Sequence, residues 1–256
     1  MGIIIKNTEE IEILREGGKR LARILDMVAK KVVPGISAKE LDVYAEKLIR
    51  DGGDIPAFLN YTPGGHVKPY PASLCVSVNN QVVHGIPTAK TILKEGDIVS
   101  LDLGLKHKGL FTDHAVTVAV GKISKKDQEL LQITRESLYA GIAETRGGNR
   151  VGDIGAAIQE FAKAKKYGIV KILSGHGVGK YIHEDPFVPN YGKRGTKEKL
   201  VPGMVIAIEP MFNLGTDEVV LDKDGYTFRT ADGLKSAHFE HTILITDGEP
   251  EILTAL

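Results

Sequence analysis

The residues with the clearest chemical meaning are carboxylates that interrupt apolar runs. Between Val99 and Val120, two apolar segments flank the polar turn Lys106-His107-Lys108-Gly109, and each carries one aspartate, Asp102 and Asp113. A buried carboxylate is costly unless it is paired or binds a cation. If the turn closes a hairpin, the two carboxylates meet across the ladder. Like charges that close need a cation or a shared proton between them. The pair therefore reads either as half of a metal site or as two turn and edge residues. Glu209, in the run Met204 to Phe212, and Glu240, in the run Phe239 to Thr246, repeat the pattern. His176 lies in Ser-Gly-His-Gly-Val-Gly, where the glycines would let backbone come close to a ligand. Any one of these acids alone reads more simply as a turn or surface residue. Four carboxylates and one imidazole together make a plausible set of ligands for two divalent ions, roughly 3.5–4 Å apart if carboxylates bridge them. Such an oxygen-rich set with one nitrogen admits Mn, Fe, Co and Zn.

Helices and strands must carry these groups. Thr8 starts a helix with Glu9 and Glu10 in its first turn, where they favour the dipole. Gly17 and Gly18 in that helix allow close packing. Ser37 and Glu40 form a capping box that opens a second helix to about Ile49. Ile3 to Ile5 reads as a short edge strand, residues 58 to 74 as an irregular loop of the kind that lines sites, and Cys75 to Asn79 as a strand. Helices follow from Ser124 and from near Asp153, the latter ending at Gly168. Residues 187 to 203 read as a polar loop. Val219 to Leu221 and Tyr226 to Phe228 read as strands.

The two halves echo each other. Gly96 opens GDIVSLDL and Gly203 opens GMVIAIEP, and each glycine precedes an acid, Asp102 or Glu209, by six positions. Two helical stretches precede each acid-bearing strand. The pattern predicts an α+β fold of two pseudo-symmetric halves, about 1–123 and 124–256, sharing one central site within a single catalytic domain.

The totals exclude other classes. The 256 residues can bury a large core. Thirty-three basic residues balance 33 acidic ones without a long block of like charge, so no strong nucleic-acid footprint is expected. The single cysteine, Cys75, fits a reducing compartment rather than a disulfide scaffold. The N-terminus turns acidic after a short apolar run, unlike a signal peptide, and Lys6 stands where a myristoylation signal needs Ser or Thr. No apolar stretch is long enough for a membrane span.

At this point the motifs support a resemblance over nearly the whole chain. They are NNQVVHGIP around His84, DIVSLDLG around Asp102, TDHA around Asp113, SGHGVGKYIHEDP around His176 and His183, IAIEPMF around Glu209, and SAHFEHTI around Glu240. The chain resembles the type I methionine aminopeptidases of the pita-bread metallopeptidase fold, with a central antiparallel sheet and helices outside. That resemblance implies Asp102, Asp113, His176, Glu209 and Glu240 as ligands of two divalent ions per chain (Co, Mn, Fe or Zn), with Asp113 and Glu240 bridging. It implies His84 and His183 as catalytic histidines that do not bind metal, and Glu209 as a proton shuttle. Tyr70, Cys75, Phe212 and Tyr226 are expected to line the substrate pocket. The implied reaction is removal of the N-terminal methionine from nascent polypeptides near the ribosome, by a cytoplasmic monomer. Two other readings share the motifs: a related aminopeptidase of different specificity, such as one acting before proline, and a non-catalytic binding protein on the same fold. The chain departs from the family pattern at His114-Ala115 after Asp113, at Tyr226 in place of a tryptophan, and in the segment Thr62 to Val67.

Overall fold

The computed structural model describes residues 2–64 and 68–256. Residues 65–67, within the expected loop over 58 to 74 and the atypical segment Thr62 to Val67, lie outside the described residues. In chain order, helices α1 (Thr8–Ala29) and α2 (Ala38–Asp51) lead into β1 (Ile55–Pro56), β2 (Leu74–Val78) and β3 (Gln81–Val83). The hairpin β4 (Ile98–His107) and β5 (Leu110–Ala119) follows, then helices α3 (Lys125–Ala143) and α4 (Val151–Lys165). The strands after α4 are β6 (Gly168–Ile169), β7 (Gly175–Gly177), β8 (Glu184–Val188), β9 (Val205–Ile208) and β10 (Met211–Asn213). The last are β11 (Val219–Leu221), β12 (Phe228–Thr230), β13 (Ser236–His238), β14 (His241–Leu244) and β15 (Glu251–Ile252).

Local chemistry explains the helix starts. Asn7 and Glu10 form the capping box of α1, and Ser37 and Glu40 that of α2. Ser124 caps α3 through the Asp127 amide. Two apolar faces then pack in parallel ways. Leu21, Leu25, Leu41 and Ile49 of the first helix pair bury against Leu101 and Leu103 of β4. Leu130, Leu138, Ile154 and Ile158 of the second pair bury against Ile206, Ile208 and Phe212. Each such side chain contributes about 1.5–3 kcal/mol on full burial. The close approach expected of the α1 glycines is present, because a Cβ on Gly18 would lie 2.3 Å from the Leu253 carbonyl oxygen.

All strand pairing among the described residues is antiparallel, in four sheets flanked by helices. β4 is the centre of one, with β1 and β2 along one edge and β5 along the other. The five-stranded sheet runs β15-β14-β9-β7-β8. The echo between the halves extends to the backbone: Gly96 and Gly203 both turn through positive φ, +90° and +88°.

Four expectations need correction. Ile3 to Ile5 is not a strand; the Lys6 amide makes one bond to the Gly203 carbonyl, and the Lys6 side chain then turns inward. Residues 204 to 212 are not one strand. β9 ends at Ile208, and Glu209-Pro210 separates it from β10 in a different sheet, because proline has no amide to continue the ladder. Likewise Glu240 sits between β13 and β14, joined to Ala115 by an isolated bridge. The polar loop from 187 begins inside β8.

Candidate metal centre and adjoining cavity

The hairpin places both aspartates on one face. Asp102 stands opposite Ala115 and Asp113 opposite Gly104, so the two are diagonal neighbours across the ladder. Lys108 and Gly109 make the turn at positive φ, 45° and 92°. Side-chain hydroxyls then stitch β5 to the strands around Glu240. Thr242 Oγ1 donates to the Asp113 carbonyl at 2.7 Å and accepts its amide at 2.9 Å. Thr117 Oγ1 makes the same exchange with His238 at 2.7 and 2.9 Å. The breaks at Glu209 and Glu240 release those side chains from sheet alternation and let them meet the aspartates.

Ligand atoms of Asp113, His176 and Glu240 lie within 4.8 Å of one another, and all three residues are buried. His176 Nε2 is 3.6 Å from Glu209 Oε1 and 4.0 Å from Asp113 Oδ2. His176 Nδ1 lies 2.9 Å from the Gly177 carbonyl oxygen. That oxygen can only accept, so Nδ1 carries the proton and the Nε2 lone pair points at the carboxylates. Burial lowers the His176 pKa to about 4 and keeps the ring neutral. The glycines beside it serve packing rather than ligand approach: a Cβ on Gly175 would lie 2.3 Å from the Ala207 oxygen, and one on Gly177 2.2 Å from the Asp185 oxygen.

The carboxylates resist ionising together. Burial pushes Asp113 up to about 7. Burial, then the neighbouring carboxylates, pushes Asp102, Glu209 and Glu240 well above their ordinary range. Asp102 Oδ1 and Glu240 Oε1 are buried with no hydrogen-bond partner. An ionised, orphaned cluster is unstable without positive charge. Oxygen donors around one neutral imidazole nitrogen suit a divalent first-row ion, so the residues present fit the expected metal.

Other expected residues fall around a cavity of about 280 Å³ that the cluster lines. Tyr70, Cys75, Tyr226, His84 and His183 line it, with Phe58, Tyr61 and Phe228. Tyr70 and Tyr226 meet edge to face at 5.2 Å, and Tyr226 donates to the Lys68 carbonyl. Cys75 pairs with Asp102 across β2 and β4. Burial first, then the Asp102 charge, pushes its thiol pKa well up, so the sulfur is inert. Phe212 does not join this lining: its side chain is fully buried in the core packed by α3 and α4, on a short strand held between β13 and β6. An apolar side chain next to an acid-bearing run has two faces to choose from, and this one takes the core.

Two side chains at the site, Tyr61 and His238, were not singled out from sequence. Tyr61 Oη is 2.8 Å from His183 Nδ1. His238 Nε2 is 3.6 Å from Glu209 Oε2, neither ring nitrogen has a hydrogen-bond partner, and burial lowers its pKa to about 3. His114 is no ligand candidate by geometry. Its ring lies against the Glu240 carbonyl and stacks on His241 at 4.5 Å, joining the two acid-bearing segments. His238 stands two residues before Glu240, a spacing that could have flagged it; nothing local marks Tyr61.

The model of metallopeptidase family M24 matches residues 12–247. A methionine aminopeptidase of Aquifex aeolicus is 46% identical over 260 residues, covering 100% of both chains. The crystal structure of a methionine aminopeptidase from Thermotoga maritima superposes with a TM-score of 0.95 at 43% identity, covering 100% of each chain. One from Rickettsia prowazekii gives a TM-score of 0.95 at 38% identity, covering 99% of this chain and 100% of that one.

Proposed function

The chain belongs to metallopeptidase family M24, and from that footing we propose that it removes the N-terminal methionine from polypeptides by metal-dependent hydrolysis. The observation that carries this is the buried Asp113–His176–Glu240 group at the wall of an apolar cavity. Asp102, Asp113, His176, Glu209 and Glu240 would hold two divalent ions. Bound there, the ions supply Lewis acidity, which lowers the pKa of a water and polarises a carbonyl.

The chain's own groups do the rest. Glu209 faces the cavity, and its raised pKa suits a carboxylate that takes a proton from water and passes it to the leaving amine. His183 donates from Nε2 to the carbonyl oxygen as negative charge develops there. His84 hydrogen-bonds near the nitrogen of the scissile bond. The cavity wall of Phe58, Tyr61, Tyr70, Cys75, Tyr226 and Phe228 accommodates an unbranched thioether side chain. Substrates are the N-terminal segments of nascent polypeptides, met near the ribosome. The enzyme works as a cytoplasmic monomer, and among the described residues no helix is long and apolar enough to cross a membrane. A single domain of halves 1–123 and 124–256 accounts for the repeated order of two helices and an acid-bearing segment.

The test is a peptide panel given to metal-reconstituted protein. Met-Ala-Ser should release free methionine, while Leu-Ala-Ser and Ala-Pro-Ser should react at least about tenfold more slowly, since a mismatched side chain in an apolar pocket costs about 1–3 kcal/mol. Preferred cleavage before proline would move the enzyme to another specificity, and no cleavage of any peptide would leave a binding protein.

A further inference from the structure

A second, open cleft adjoins the cavity and is not needed to hold a methionine side chain. It measures about 350 Å³ and shares His84, His176, His183 and Glu209 with the inner cavity. Its outer wall carries Ile172 and Phe187, which are 67% and 70% exposed. Scattered exposed apolar side chains are ordinary. These two are distinguished by lining one cleft that is continuous with the reacting groups. Phe187 points outward from β8 between buried Pro186 and Val188, so its own sheet gives it no cover. β8 is also the edge strand of its five-stranded sheet, which leaves a passage along that side.

We propose that Ile172 and Phe187 form a shelf for one of the two side chains at the second and third residues after the scissile bond of the substrate, selecting an apolar side chain there. This rests on the reading of the inner cavity as the methionine site. If methionine fills that cavity and its carbonyl lies among His84, His183 and Glu209, the rest of the chain leaves through the cleft that contains the same three residues. An extended peptide advances about 3.3 Å per residue and turns alternate side chains to one side, so it meets the shelf within two or three residues. The occupant is therefore an extended, apolar peptide segment continuous with the residue being removed.

The test compares amidated Met-Ala-Leu-Leu, Met-Ala-Ser-Ser and Met-Ala in the reconstituted enzyme and in the double variant Ile172→Ser, Phe187→Ser. In the unmodified enzyme kcat/KM for the Leu-Leu peptide should exceed that for the Ser-Ser peptide about tenfold, from partial burial of the one leucine that faces the shelf. The double variant should lose that preference through KM while keeping its rate on Met-Ala, and Phe187→Leu should retain most of it. Equal rates on the two longer peptides in the unmodified enzyme would overturn the shelf, as would a variant that loses Met-Ala turnover equally. So would a dimer, seen by sedimentation, that dissociates in the double variant, because the shelf would then belong to a second copy. An unmodified enzyme that releases methionine from none of the three contradicts the function itself.

Discussion

His183 is held from two sides. Tyr61 Oη lies 2.8 Å from Nδ1, and the His176 ring packs edge-on at 4.4 Å. A phenol is the stronger acid and imidazole nitrogen the stronger acceptor, so the hydroxyl donates to Nδ1 and Nε2 keeps the proton. Desolvation in the cleft first, and then His176, lowers the His183 pKa; the ring remains open to the cleft, which limits that effect but leaves it neutral at working pH. His183→Ala should therefore lose roughly 10²–10³ in kcat, the scale of one lost oxyanion donor, while binding as much metal as the unmodified protein. Tyr61→Phe should lose a smaller part of the same kcat with little change in KM. Metal content and kcat measured on the same purified variants check both, and loss of one metal equivalent in His183→Ala would make that histidine a ligand. His183 was legible from its type and its place after the glycine-flanked His176. Tyr61 was not, because its contact spans 122 residues and arises only when an irregular loop closes over the cavity.

At the scale of elements, the N-terminal segment reaches the loop that carries His183. Lys6 Nζ lies 2.5 Å from Glu184 Oε2, and both side chains are buried. Glu184 Oε1 accepts the amides of Lys180 and Tyr181, which folds the turn before His183 back on itself. Removing one partner of a buried pair leaves the other charge uncompensated and costs about 3–5 kcal/mol. Lys6→Met should therefore lower stability by about that amount in urea unfolding and reduce kcat through the displaced turn; a change below about 1 kcal/mol would mean that the turn stands without the pair. In the sequence Lys6 was informative only as the residue that breaks a myristoylation signal, since a long-range ion pair has no local signature. The helices were legible because capping and periodicity are local signals. The hairpin was legible because its polar turn sits between matched apolar runs. The strand breaks at Glu209 and Glu240 were not, because apolar residues lie on both sides of each acid; Pro210 was the one sign at the first break.

For the whole molecule, the site sets the response to pH. Burial raises the folded pKa of Asp113 from 3.8 to about 7, and those of Asp102, Glu209 and Glu240 in the same direction. Such groups bind more protons folded than unfolded, so their contribution is present at low pH and is lost as pH rises through about 7. Buried His114, His176 and His238 act oppositely: their pKa values fall from 6.5 to about 4, 4 and 3, so their contribution is lost as pH falls below about 6.5. Metal replaces the protons on the carboxylates. The rise in Tm on adding excess Mn(II) should therefore be larger at about pH 7.5 than at about pH 5.5, and a rise independent of pH would contradict protonated carboxylates in the metal-free cluster. The repeated order of two helices before an acid-bearing segment was legible because Gly96 and Gly203 open similar stretches six residues before an acid, whereas the meeting of the acids required three-dimensional packing. The dependence of methionine release on metal in this buried cluster is tested most directly by measuring free methionine released from Met-Ala-Ser by chelator-stripped protein as Mn(II) or Co(II) is added back. No release before metal and recovery that saturates with bound metal is the expected result; full turnover by the stripped protein, with no response to metal, would contradict it.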